Sequence, residues 1–205
     1  MSPDPLRPYR ESQRAHGTDF RVTLWANPAS QKLRFQTFTQ MLFLGDKRIL
    51  DAGCSRGDFA SFLLERDIAY RRFIGVDGVR EVIEFAQKRQ FPRSEFHFGD
   101  LLADEGLFKI GDPQVICVSG TLNTMTDEQA RGFLESAWDA AGEALLFNFL
   151  SDRTGPRAVP QHDPARRMDP IKLLEWALGH TWNVVFRQDY FKAGHDATIL
   201  MRTEG

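Results

Sequence analysis

Cysteine is scarce in this chain, and its two copies lie far apart. Only Cys54 and Cys117 are present among 205 residues. Two isolated cysteines do not make the disulfide framework of a small secreted domain, and they lack the paired spacing of a zinc site. The sequence therefore predicts neither a disulfide-stabilised fold nor a metal centre.

Long apolar runs and an excess of one charge are missing as well. No stretch approaches the roughly 20 apolar residues that span a membrane, and residues 1–5 lack the apolar core of a signal peptide. The net charge of −2 and the pI near 6.2 argue against a strongly basic nucleic-acid binder. We therefore expect a cytoplasmic protein with no membrane partner and no clear nucleic-acid signature.

What the chain does contain is an alternation of short apolar runs and amphipathic segments. Apolar residues recur at helical spacing over about residues 29–43, and further helical patterns follow most of the apolar runs. The predicted strands lie at about 49–50, 72–77, 96–100, 115–118, 144–150, 184–186 and 197–201. Strands that alternate with helices predict a doubly wound α/β sheet, and the length suits one such domain.

Two segments fall outside this alternation. Residues 1–19 are rich in proline and arginine and predict a loose arm, so we divide the chain into an N-terminal arm or cap, 1–28, and a main domain, 29–205. Residues 151–169 form one long irregular loop with three prolines. Loops of this length in a compact domain usually cover a binding site.

The turn after the first predicted strand carries the most informative pattern. A strand that runs into a glycine turn and a helix builds a nucleotide site, because backbone N–H groups and the helix N-terminus face the ligand. The spacing Asp51-x-Gly53-x-Ser55-x-Gly57 resembles motif I, D-x-G-x-G-x-G, of the class I S-adenosylmethionine (SAM)-dependent methyltransferases, with Ser55 at the middle glycine. It also matches the G-x-S-x-G nucleophile elbow of α/β-hydrolases.

The order of elements is similar to that of class I methyltransferases over about residues 29–202. This resemblance implies a Rossmann-like, mostly parallel, seven-stranded sheet with an antiparallel last strand and an N-terminal helical cap. It also implies that SAM binds across the carboxyl ends of the strands, with Asp51 near its ammonium group and Asp77 on both ribose hydroxyls. Asp100 would take the adenine amine, with Leu101 covering the ring. The implied cofactor-binding residues are Arg34, Asp51, Gly53, Cys54, Ser55, Gly57, Asp77, Gly78, Asp100, Leu101 and Ser119.

Three stretches resemble a bacterial subgroup of this family whose substrates are unassigned. They are Gln31-x-x-Arg34-Phe35, Phe147-Asn148-Phe149-Leu150-Ser151 and Gln188-Asp189-Tyr190. In this interpretation Gln31 and Arg34 close over the cofactor, and Arg34 is available to its carboxylate. An exposed helix face is the alternative.

The acceptor side has weaker signals. Residues 119–123, which would face the transferable methyl group, lack the N-P-P-Y motif of methyltransferases that act on nucleic-acid bases or glutamine. A histidine is the natural base near neutral pH, and His16, His162 and His195 lie in segments that could reach a substrate. We expect transfer to an oxygen or nitrogen of a small-molecule or sugar-type acceptor. The long loop also carries four arginines that suit a carboxylate or phosphate, or simply a solvated face: Arg153, Arg157, Arg166 and Arg167.

Two other functions compete with this interpretation. A SAM-binding regulator without turnover would carry the same cofactor motifs. A serine esterase would use Ser55 as nucleophile, Asp152 or Asp169 as the acid and His195 as base, in the chain order of α/β-hydrolases. However, that fold places several strands before its elbow, where this chain has an arm and a helix.

Overall fold

The structure is a computed structural model that describes residues 3–203. Its helices are α1 (Arg7–His16), α2 (Pro28–Met41), α3 (Asp58–Glu65), α4 (Arg80–Lys88), α5 (Asp127–Ala140) and α6 (Pro170–His180). Its strands are β1 (Arg48–Ala52), β2 (Arg72–Asp77), β3 (Ser94–Phe98), β4 (Val115–Ser119), β5 (Ala144–Leu150), β6 (Val184–Arg187) and β7 (Asp196–Arg202). Short 3-10 helices lie at Phe20–Thr23, Glu105–Lys109 and Thr121–Thr124.

The seven strands form one sheet in the order β3-β2-β1-β4-β5-β7-β6. Strands β1 to β5 are parallel to one another, whereas β7 is antiparallel to both β5 and β6. The expected Rossmann-like sheet with an antiparallel last strand is therefore confirmed. This order places the ends of β1, β2, β3 and β4 along one carboxyl edge, where open α/β sheets bind their ligands.

Helices cover both faces of the sheet because successive strand residues point to opposite sides. On β1, Ile49 packs into an aromatic-rich cluster beneath α2 and α3, whereas Leu50 joins the cluster beneath α5 and α6. In the first cluster the rings of Phe35 and Phe59 lie 4.9 Å apart. The two cores hold the strand ends in fixed positions, so the turns between them form a rigid rim.

Most element positions agree with the sequence pattern. Strands β2 and β5 have the predicted bounds, and Thr126 caps α5 in a capping box with Gln129. Strand β3 ends at Phe98, two residues earlier than predicted, and α6 continues one residue past Gly179. Among residues 3–203, no helix is long and apolar enough to cross a membrane.

The prediction of a loose arm over residues 1–19 is wrong for most of that segment. Residues 7–16 form helix α1, with Pro8 in its first turn, where proline is compatible with a helix. The helix ends at Gly17, whose φ of 59° is left-handed. Tyr9 packs beside Val22 and Val79, so tertiary contacts stabilise a helix that its composition did not predict. Met1 and Ser2 lie outside the described residues.

Candidate active site at the carboxyl edge of the sheet

A cavity of about 470 Å³ opens at the carboxyl edge, between the ends of β1 to β4, the N-terminal segment and the long loop. Of the residues predicted to bind a cofactor, all but Gly57 line it. Gly57 instead caps α3 in a left-handed conformation (φ 73°), and a Cβ there would meet the Phe96 ring at 3.0 Å. The cavity has the size of an ordinary small-molecule site.

The turn after β1 needs glycine at its first position. Gly53 has a φ of 85°, and a Cβ on it would lie 2.1 Å from Thr121 Oγ1. Its N–H donates to Val76 O at 2.8 Å, which ties the turn to β2. Ser55 stands where motif I has its middle glycine. Its φ of 46° is also left-handed, so the backbone has the conformation that suits glycine, at some strain for serine.

Asp77, at the end of β2, is held by two backbone groups. Ser55 N donates to its Oδ2 at 2.8 Å, and Val79 N donates to its Oδ1 at 2.9 Å. Burial raises the pKa of Asp77 to about 6, although these two hydrogen bonds oppose the shift. Each carboxylate oxygen accepts one of these bonds and has capacity for another, and Asp77 lines the cavity.

Asp51, at the end of β1, is only 3% exposed and lines the cavity. Within residues 3–203 no hydrogen-bond donor reaches its carboxylate. Burial raises its pKa to about 8, and the nearby charges of Asp77 and Asp58 add to that shift. A buried carboxylate without a partner is a site for a cation.

The ends of β3 and β4 complete the rim. Asp100 Oδ1 accepts from Leu102 N at 3.0 Å, and the neighbouring Leu101 is buried. After β4, Gly120 N donates to Asn148 Oδ1 at 2.9 Å. Asn148 in turn donates to Ser119 Oγ at 3.0 Å, so a fully buried side chain on β5 fixes the Ser119 turn.

Three side chains from the N-terminal segment form what we call the N-terminal cover: Leu6, Tyr9 and Trp25. A Cβ on Gly78 would lie 2.4 Å from Leu6, and one on Gly120 would lie 2.3 Å from the Trp25 ring. Tyr9 donates its hydroxyl to Gly120 O at 3.3 Å. The sequence predicted an N-terminal arm or cap over residues 1–28 but not these contacts, because a glycine that receives a distant side chain looks the same in a sequence as a glycine in a turn.

Arg34 also lines the cavity, but its guanidinium already has partners. It forms a buried ion pair with Asp196, with Nε 2.7 Å from Oδ2, and it donates to Ser30 O at 2.9 Å. The guanidinium carbon lies 4.1 Å from the Trp25 ring centroid and 4.7 Å from that of Phe191. Arg34 is therefore neutralised where it lies.

The three candidate histidines differ in position. His162 and His195 line the cavity, whereas His16 does not. The His195 ring packs against that of Phe191, with centroids 4.5 Å apart and an interplanar angle of 50°. The backbone carbonyl of His195 accepts from Ser151 N at 3.1 Å. Burial lowers the pKa of His195, Asp196 opposes that shift, and the cations Arg34 and Arg167 add to it.

Of the four loop arginines, only Arg167 lines the cavity. It donates to three backbone carbonyls, those of Ser151, Val159 and His195, and so fastens the loop to β5 and to the β6–β7 turn. Arg166 pairs with Asp127, and Arg153 lies near Asp152 and Asp169. Three of the four arginines, Arg153, Arg166 and Arg167, therefore have hydrogen-bond or charge partners within the protein.

A family comparison bears on the two interpretations of the β1 turn. Residues 49–142, somewhat less than half of the chain, match the model of a family described as methyltransferase domain. This match includes the β1 turn and supports the interpretation as a class I SAM-dependent methyltransferase. The search of curated protein sequences found no match.

Solved structures similar to this chain cover nearly its whole length. A DhpI–SAM–HEP complex is 14% identical with a TM-score of 0.72, and the match covers 98% of each chain. Magnesium protoporphyrin IX methyltransferase from Synechocystis PCC 6803 with bound SAM is 14% identical with a TM-score of 0.70 over 99% of each chain. Phosphoethanolamine N-methyltransferase 1 from Haemonchus contortus is 12% identical with a TM-score of 0.72, over 98% of this chain and 49% of that one. At such identities these likenesses establish the fold alone.

The hydrolase alternative is contradicted by this fold. The Ser55 turn follows the central strand β1 of a methyltransferase-type sheet, and its N–H donates to Asp77. Within the described chain, the Ser55 side chain makes no hydrogen bond to a histidine, which a nucleophile–base pair requires.

Proposed function

We propose that the protein transfers the methyl group of SAM to an oxygen or nitrogen atom of a small-molecule or sugar-type acceptor. One observation carries the proposal: Asp51 is a buried carboxylate that faces the cavity and lacks a partner among the described residues. SAM carries an ammonium group and a sulfonium. A positive charge of this kind beside Asp51 would stabilise the ionised form of its carboxylate. The match of residues 49–142 to a methyltransferase domain supports the same cofactor.

The residues at the other strand ends fit the remaining parts of SAM. Asp77 would accept hydrogen bonds from the two ribose hydroxyls, because both of its oxygens keep an accessible lone pair. Asp100 would accept from the adenine amine, and the buried side chain of Leu101 would cover the ring. Gly53 would leave room for the tail, because its missing Cβ keeps the turn thin.

When bound, SAM supplies a methyl group on a positively charged sulfur that leaves as a neutral thioether. An acceptor lone pair forms the new bond to the methyl carbon, the sulfur–carbon bond breaks, and both of its electrons stay on sulfur. The N-terminal cover lines the cavity and would exclude water from the donor side, and the part of loop 151–169 that lines the cavity would enclose the acceptor. These elements would align the acceptor, and alignment alone accounts for much of the rate enhancement in such reactions.

His195 is the histidine best placed to take the proton that the acceptor releases. It lines the cavity, and its ring is held by Phe191. Its lowered pKa keeps the imidazole neutral near pH 7, which is the form that accepts a proton. His162 lies in the exposed loop and would be the second choice.

Titration calorimetry with SAM and with S-adenosylhomocysteine tests the cofactor site. We expect Asp51→Asn to weaken binding of both ligands by roughly 10- to 100-fold, since a charged hydrogen bond is lost. Asp112→Asn is the matched control, because Asp112 precedes β4 at the opposite edge of the sheet and its side chain is 94% exposed. No binding to the unaltered folded protein would refute the proposal.

A second assay tests turnover. Protein incubated with SAM carrying a labelled methyl group and a panel of small hydroxyl and amine acceptors should release S-adenosylhomocysteine and label one acceptor class. SAM binding without transfer to any acceptor in the panel would contradict the enzymatic part of the proposal. The regulator interpretation would then account for the cavity.

A further inference from the structure

Arg167 lines the cavity with a positive charge that no carboxylate of the described chain neutralises. Its guanidinium donates to the carbonyls of Ser151, Val159 and His195 at 2.9, 3.0 and 3.3 Å. These three acceptors are neutral, whereas the neighbouring Arg166 pairs with an aspartate. The guanidinium of Arg167 is therefore held in place while its charge stays uncompensated.

The three hydrogen bonds leave part of the guanidinium unused. Nη1 donates twice and Nη2 donates once, so two of the five N–H groups, at Nε and Nη2, have no partner among the described residues. Two such donors on adjacent nitrogens match the two oxygens of a carboxylate or phosphate. Because backbone carbonyls already fix the other donors, the guanidinium would lose little freedom when it binds an anion.

The surrounding charges leave this corner of the cavity positive. Arg34 also lines the cavity, but Asp196 neutralises it. Asp163 lies in the same loop and lines the cavity as well, yet it is exposed and forms no ion pair with Arg167 in the described part of the chain. The charge of Arg167 is felt at the neighbouring imidazole, since it contributes to the lowered pKa of His195.

The carboxylates at the strand ends lie in a different part of the cavity. Asp51, Asp77 and Asp100 lie at or just after the ends of β1, β2 and β3. The backbone groups that hold Arg167 instead follow β5 or precede β7, on the other side of β4 in the sheet. A cationic donor would therefore meet the acids, and a molecule beside Arg167 would meet the opposite charge.

Taking the proposed function as its basis, we infer that Arg167 binds an anionic group of the methyl acceptor, so that the acceptors of this protein are small molecules with a carboxylate or a phosphate group. The anion would accept from Nε and Nη2 of Arg167, and the oxygen or nitrogen to be methylated would lie elsewhere on the same molecule. Arg167 would thus set specificity and position the acceptor, and it would transfer no proton.

Ligand-observed NMR with four small probes tests this inference on protein saturated with S-adenosylhomocysteine. The probes are acetate, its neutral counterpart acetamide, methyl phosphate and its neutral counterpart trimethyl phosphate, and the methyl protons of each report binding. The unaltered protein should bind at least one anion about 10-fold or more tightly than its neutral counterpart. The anion with the larger preference distinguishes a carboxylate from a phosphate. This measurement needs no variant, so it does not depend on the folding of a mutant.

Arg167→Met removes the charge and keeps much of the side-chain length. It should weaken binding of the preferred anion by roughly 10- to 100-fold and change the affinities for the neutral probes and S-adenosylhomocysteine by less than about twofold. Arg167→Lys keeps the charge but loses the paired donors, so its loss should be intermediate. Arg157→Met is the matched control, because Arg157 lies in the same loop, is exposed and does not line the cavity.

Equal affinity for the charged and neutral probes would overturn the inference, as would an anion preference that survives Arg167→Met or is lost equally in Arg157→Met. If Arg167→Met weakened the charged and neutral probes alike, Arg167 would only hold the loop, and the inference would again fail. Each of these results leaves the proposed function intact as long as S-adenosylhomocysteine binds. A protein that binds neither SAM nor S-adenosylhomocysteine would instead overturn the proposed function.

Discussion

Replacing Asp77 by Asn separates ligand binding from stability in this protein. In the free protein at pH 7, the partly buried Asp77 carboxylate is unfavourable, because a pKa of about 6 against an ordinary value of 3.8 corresponds to at most about 3 kcal/mol. Asn removes that penalty. It also leaves one of the two backbone donors, Ser55 N or Val79 N, without an acceptor, which costs about 1–3 kcal/mol.

These two effects oppose each other and leave a net gain of about 0–2 kcal/mol, so the Tm of the free protein should rise by no more than about 8 °C. Binding should change much more. The loss of two charged hydrogen bonds to the ribose should cost about 2–4 kcal/mol, roughly 30- to 1,000-fold in Kd. With SAM at about 100 times the original Kd, ligand stabilisation should fall from about 2.7 to about 0.4 kcal/mol for a 100-fold loss.

Thermal unfolding with and without ligand measures both quantities at once. For a chain of this length, the ligand-induced rise in Tm should fall from about 5–11 °C to about 1 °C. Asp112→Asn should keep the full rise. An Asp77→Asn protein that retains the full ligand-induced rise would refute the ribose role of Asp77 and the electrostatic reasoning behind it.

Two further predictions follow from buried charges. The pKa of Asp51 is raised to about 8, so the fold favours its protonated form. Its contribution to stability is therefore present at low pH and is lost as the pH rises towards and through 8. The Tm of the free protein should fall between about pH 6 and pH 8.5. Over the same range the affinity for SAM should increase with pH, by up to about 10-fold per pH unit. Calorimetry in buffers of different ionisation enthalpy should show that binding releases a proton. An affinity that does not depend on pH would contradict this prediction. Arg34→Met should destabilise the fold by about 3–5 kcal/mol in urea unfolding, because it leaves the Asp196 carboxylate buried without its counter-ion, with a hydrogen bond from the Tyr190 hydroxyl still in place. Arg34→Met combined with Asp196→Asn should lose less than Arg34→Met alone, and a larger loss in the double variant would be the contrary result.

The sequence predicted the sheet and its ligand edge because that information is local. A strand, its turn and the acid at its end lie within a few consecutive residues, as at Asp51, Asp77 and Asp100, and parallel strands necessarily bring those ends together. The positive φ of Gly53 likewise follows from a short motif. The roles of these residues toward a cofactor stay predictions until binding is measured.

What the sequence did not predict depends on contacts between distant segments. The partner of Arg34 is 162 positions away, and no local pattern indicates that Asp196 will neutralise it. Helix α1 was missed because its residues are mostly polar. The helix is stabilised by tertiary contacts, with Tyr9 packed on Val22 and Val79. Gln31 was recognised as part of a motif, but only the fold shows that it is buried and lines the cavity.

The N-terminal cover has a practical consequence for protein production. Leu6 and Tyr9 contact the cavity rim, and the carbonyl of Pro3 already accepts a hydrogen bond from Gln129. An affinity tag fused ahead of residue 1 would therefore start close to the binding pocket and could bias the dissociation constants obtained with it. Thr203, by contrast, is bonded to Glu143 before β5, at the far edge of the sheet, so a purification handle belongs after the last residue.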